Sequence, residues 1–170
     1  MGLDMYVYSI SEDLIGATNN LVDVDVRKIG RSGVGFDDLP LDETDKLPDM
    51  EKEKYWEAYR KADREAQEKG VINRSFYYWR KFNALHGWMQ DLYVMRGGTG
   101  EFNCKTLRLF MSDINDLQEI LDTKSLTPTA GFFFGAQEIY EEDWASLEEF
   151  LNKAVDELDS GKALYYDSWW

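Results

Sequence analysis

The spacing of apolar residues switches along this chain between alternation and a near-3.6 repeat, and the order of those switches limits what it can fold into. "LDMYVYSI" near the N-terminus is short, aromatic and β-branched, as a strand is. In "LVDVDVRKI", Val22, Val24 and Val26 fall on one face and Asp23, Asp25 and Arg27 on the other, which predicts a half-buried strand. After a Gly- and Asp-rich loop, a helix is expected from near Asp49, just past Pro48, to before Gly70. Its apolar stripe is Tyr55, Tyr59, Ala62 and Ala66. A second helix is expected from about Asn73 or Ser75 to about Met95, closed by the glycines of "RGGTGEFN". "CKTLRLF" predicts a strand, "SDINDLQEILD" a short helix capped by Ser112, and "GFFFG" a buried strand or tight segment. A last helix, about Glu141 to Leu158, carries Trp144, Leu147, Leu151, Ala154 and Leu158 on one stripe. Gly161 ends it and "ALYYDSWW" follows as a strand. Such irregular alternation predicts an α+β fold. The expected sheet is mixed or antiparallel, of four to five strands, with about four helices packed mainly on one face. Residues 1–170 read as a single domain, with the acidic loop and helix at about 30–70 open to reading as an insertion.

The formal charge of −14 excludes ordinary phosphate-backbone binding, which needs a basic surface. An acidic surface serves solubility in one reading, and faces a basic partner in another. No apolar run approaches the roughly 18–20 residues that span a membrane. The N-terminal residues lack the basic and apolar regions of a secretory leader. The single Cys104 excludes a disulfide framework and a multi-thiolate zinc site. A reducing cytoplasm is therefore the expected setting, and no cofactor or metal is expected. The glycines Gly30, Gly33 and Gly35 do not match a phosphate-binding loop, and no calcium loop is recognisable.

The expected helix over 73–95 holds the candidate site. Tyr78, Phe82, Leu85, Met89 and Leu92 form its core-facing sector, and Trp79, Asn83, His86 and Gln90 line up beside them, flanked by Arg80 and Gly87. Two readings stand. Asn83 and His86 satisfy neighbouring backbone groups within the core, or the column walls a pocket where imidazole, amide and guanidinium meet a polar ligand beside an indole.

Four segments carry a resemblance: "MGLDMYVY", "YYWRKFNALHGW", "LTPTAGFFFG" and "LYYDSWW". Together they resemble the MGLDMYL, YWRKANAIHxWF, LPTxxGFFFG and YYxSSW motifs of a family of small proteins encoded by tailed bacteriophages and their prophages. The chain departs from that pattern at Phe82, where the family has Ala, and at Trp169, where it has Ser. Phe102 and Asn103 precede Cys104 where the family has two acids. If that pair holds a ligand or ion in the relatives, this chain lacks it. The family carries no established activity. The resemblance implies a phage origin and a place in the cytoplasm of the infected bacterial cell, rather than a reaction.

Polar residues within the resemblance add weight to a pocket. Its expected members are Trp79, Arg80, Asn83, His86, Gln90, Thr129 and Phe133. The leading expectation is a non-catalytic binder of a small polar or nucleotide-like ligand, one that sequesters a host signalling molecule. The alternative is an acidic inhibitor of a basic host or defence protein. It would use Glu141, Glu142, Glu148, Glu149 and Glu157 on the last helix in imitation of nucleic acid. An enzyme with His86 as general acid or base ranks third, because no nucleophile, metal or phosphate loop accompanies it. The terminal Trp169 and Trp170 fit a homo-oligomer contact, and fit equally a final strand folded into the sheet.

Overall fold

A computed structural model describes residues 2–15, 21–130 and 138–170. In chain order the elements are β1 (Asp4–Ser11), α1 (Val26–Ser32), α2 (Leu41–Lys46), α3 (Asp49–Glu68), β2 (Ile72–Arg80), α4 (Asn83–Met95), β3 (Leu107–Leu109), α5 (Met111–Thr123), α6 (Glu141–Asp159) and β4 (Lys162–Trp169). The four strands form one antiparallel sheet in the order β2-β1-β4-β3. The fold is α+β, as the changing periodicity predicts.

Strand alternation divides the core into two layers. Met5 and Val7 of β1, Tyr77 and Trp79 of β2, and Leu164 and Tyr166 of β4 face one side. There they meet Leu85, Met89 and Tyr93 of α4, Leu117 of α5, and Leu147, Phe150 and Leu151 of α6. Each of these large side chains contributes about 1.5–3 kcal/mol by leaving water. On the other side Tyr8, Ile10, Ile72, Ala163 and Tyr165 pack under Val26 of α1 and Ala66 of α3. Among the described residues this second cover is incomplete. It lies over one half of the sheet, while Tyr78, Trp169 and Arg80 at the other half stay exposed.

Three local expectations are corrected. The segment 73–95 is not one helix. Its first part is strand β2, with Tyr77 and Trp79 buried and Tyr78 and Arg80 exposed. Aromatic side chains favour the pleated surface, and β1 offers the pairing partner, from Asp4↔Arg80 to Ile10↔Ile72. Lys81, at φ 63°, turns the chain out of the strand, and α4 begins two residues later. "LVDVDV" is likewise not a strand. Val22 makes a single bridge to Leu107, Asp23 adopts φ 57°, and the Asp25 carboxylate accepts the Lys28 N–H at 2.9 Å to cap α1. In α5 the cap is not Ser112. The Asp113 carboxylate accepts the Phe110 N–H at 2.6 Å. The expected segment "GFFFG", with Phe133, lies outside the described residues.

Candidate functional site

Splitting 73–95 into strand and helix dissolves the expected column. Trp79 is 5% exposed and packs its ring 4.5 Å from Tyr77 and 4.9 Å from Phe150, centroid to centroid. Arg80, the next residue of β2, points to the opposite side and stands 3.9 Å from Asp4. Trp79 and Arg80 therefore cannot line one pocket. Asn83 and His86 lie buried in the first turn of α4, whereas Gln90 is exposed. Thr129 sits directly over Gly87, and any Cβ there would collide with its Oγ1. The glycine at 87 thus serves a close packing contact.

His86 is sealed within the larger core. Its Nδ1 lies 2.8 Å from the Tyr166 Oη, and its ring stacks on Phe102 at 5.4 Å. Burial lowers its pKa to about 4, so the imidazole is neutral at physiological pH. It has no approach to a solvent-borne substrate. Of the five glutamates expected to meet a partner, Glu141, Glu142, Glu148 and Glu149 are exposed, and Glu141 stands 3.7 Å from Lys124. Glu149 pairs with Lys153 at 2.6 Å, and Glu157 turns inward to the Ser9 hydroxyl.

The half-covered side of the sheet holds a different constellation. Between the strands and the α1–α3 layer runs a cleft of two lobes, of about 620 and 700 Å³. Both lobes share Tyr8, Arg27, Cys104 and Asp167. These volumes suit a small molecule. Strand register explains the meeting. Tyr8 pairs with Tyr165 and Tyr6 with Asp167, so Tyr6, Tyr8 and Asp167 share the face turned toward α1. The N-cap at Asp25 starts α1 so that Arg27 reaches back over Tyr8.

The polar groups of the cleft are linked. The Tyr8 hydroxyl donates to Asp167 Oδ2 at 3.3 Å and accepts from Arg27 Nη2 at 3.2 Å. The Ser168 N–H donates to Asp167 Oδ1 at 2.8 Å. Desolvation raises the Asp167 pKa, and the Ser168 N–H, the Tyr8 hydroxyl and the Arg27 charge only partly offset it. Burial also raises Tyr8, which stays protonated. Cys104, exposed at the rim, has its thiol pKa raised by partial desolvation and by the Asp167 charge, the opposite of an activated nucleophile.

Other charges of the cleft are already committed. Arg31 is 2% exposed, bonds Asp38 and Asp63, and lies 4.0 Å over the Tyr59 ring. Asp23 accepts from the Tyr93 hydroxyl at 3.0 Å and lies 3.6 Å from Lys105. Arg27 differs. Its bond is to a neutral phenol, and among the described residues it makes no ion pair. That leaves most of its five donors for a ligand.

Tyr8, Arg27 and Asp167 were not among the sequence-predicted site residues. The one local signal was an acid set within the aromatic strand "YYDSWW". Among the described residues no cluster of three or more His, Cys, Asp or Glu is placed to hold a metal ion, and no helix is long and apolar enough to cross a membrane. Comparison with protein families, with curated proteins and with solved structures found no match to this chain.

Proposed function

We propose that this protein is a phage accessory protein, acting in the cytoplasm of the infected bacterial cell as a non-catalytic binder of a small polar ligand. The phage setting rests on the four-motif resemblance. The binding reading rests on one observation: Arg27 stands in a cleft, without an ion pair among the described residues, beside the half-buried Asp167. A cation and a desolvated carboxylate held apart by a tyrosine are poor for stability and well suited to a ligand that offers both an anion and donors. A Cys104 thiol whose pKa is pushed up rather than down, and a sealed His86, favour binding over turnover.

A thermal-melt panel of metabolites tests this, run on the protein and on Arg27→Ala and Asp167→Asn. A ligand at 100 times its Kd adds about 2.7 kcal/mol, a shift of several degrees. The expected result is a shift with one chemical class, lost in Arg27→Ala. A flat panel, or a shift that survives both substitutions, would sink the proposal.

A second reading is favoured by the outward Glu141, Glu142 and Glu148 on α6 together with the charge of −14. Here α6 offers an anionic face to a basic host protein. Reversing those three charges should abolish salt-sensitive capture of such a partner. Unchanged capture would exclude α6 as the face.

A further inference from the structure

We infer that the cleft ligand is a ribonucleoside 5′-monophosphate, its base on Tyr6 and Trp169, its ribose hydroxyls on Asp167 and its phosphate on Arg27. This inference rests on the binding reading above and specifies its ligand. The argument is one of order along the sheet. On the open face, β4 presents Asp167 and then Trp169, while β1 presents Tyr8 opposite Tyr165 and Tyr6 opposite Asp167. Arg27 is bonded over Tyr8. The groups therefore follow one line: cation, carboxylate, aromatic. Asp167 and Trp169, successive same-face positions of β4, are about 6.5–7 Å apart, and the Tyr8 hydroxyl bridges Asp167 to Arg27 at 3.3 and 3.2 Å. A ribonucleotide presents phosphate, diol and planar base in the same order.

Each step has a chemical reason. Trp169 is 61% exposed, a large indole with no core role, and lies diagonally across from Tyr6. Exposed aromatic faces of this kind stack bases. Asp167 accepts one bond on each oxygen, yet a carboxylate has about four acceptor sites. The remaining sites suit a vicinal diol, the use made of an acidic residue in ribose recognition generally. Arg27 matches a phosphate with paired donors. Arg74, at the same lobe, is tied to Asp63, so the lobe has one uncommitted cation beside one carboxylate. That balance suits a single phosphate and disfavours a polyphosphate chain.

Isothermal titration with four probes tests the inference: a ribonucleoside 5′-monophosphate, its 2′-deoxy counterpart, the bare nucleoside and ribose 5-phosphate. The monophosphate should bind at least tenfold tighter than the nucleoside and than ribose 5-phosphate. Arg27→Ala should erase the first margin and Trp169→Ala the second. The ribo form should bind several-fold tighter than the deoxy form, and Asp167→Asn should erase that preference. Melting of each variant verifies that it is folded. Equal binding of ribose 5-phosphate, or no effect of Trp169→Ala, overturns the base assignment. Equal binding of the deoxy form overturns the ribose assignment. If none of the four binds but another compound of the metabolite panel shifts melting through Arg27, the ribonucleotide inference fails and the binder stands. If nothing binds at all, both fail.

Discussion

The two faces of one sheet treat polar groups in opposite ways. On the side of α4, α5 and α6, His86 is shut in, stacked on Phe102 and bonded to Tyr166, and its charge is suppressed. On the side of α1 and α3, Asp167 keeps a raised pKa beside a cation that does not pair with it, with a cleft above. Sequence position does not distinguish the two, since both residues sit in aromatic surroundings. What distinguishes them is coverage. Among the described residues, α4, α5 and α6 close one face, whereas the other cover stops halfway, and the polar group at its margin lines the cleft.

That contrast can be broken at its strongest point first. Phe150 is fully buried and touches Phe76, Tyr77 and Trp79. Phe150→Ala should cost about 3–5 kcal/mol in denaturant unfolding. Next comes the pH limb set by His86. Its folded pKa lies below the unfolded value, so its contribution is complete above pH 6.5 and is lost as pH falls. Between pH 6.5 and about 4 the fold should lose about 3 kcal/mol. Unfolding curves at stepped pH will show this, and His86→Gln should flatten that limb while lowering stability overall.

The open face should respond the other way. The folded pKa of Asp167 lies above its unfolded value, so ionisation works against folding and stability falls as pH rises through that range. Asp167→Asn should therefore melt higher than the parent at pH 7. The advantage should vanish below about pH 4, where the parent is protonated in both states. A lower melting point at pH 7 would show that Asp167 is a structural anchor. The smallest effect belongs to Trp169→Ala, which should change stability by no more than about 0.5 kcal/mol because the indole is exposed.

Long, strongly periodic elements were legible in the sequence. The stripe of Trp144, Leu147, Leu151 and Ala154 places α6, and Ala62 and Ala66 bury as the expected face of α3. Strands β1 and β4 follow from their aromatic and β-branched runs. Residues 73–95 carry two patterns at once: Tyr78, Phe82, Leu85 and Met89 fit a helical repeat while Tyr77 and Trp79 fit alternation, and only the partner strand decides between them. The cleft was illegible for a different reason. Its members come from positions 8, 27, 104 and 167, and their meeting depends on β1–β4 register, a non-local pairing that no local window contains.

That same pairing has a consequence during synthesis. β1 is an inner strand, flanked by β2 and β4, and its β4 edge is filled only by residues 162–169. On the ribosome, β2 emerges early, yet the other edge of β1 waits on the order of ten seconds more for β4 at ordinary elongation rates. Throughout that interval an apolar strand edge is available to any other chain. Crowded expression should therefore favour aggregates seeded by β1, and slow translation beyond β2 should worsen them.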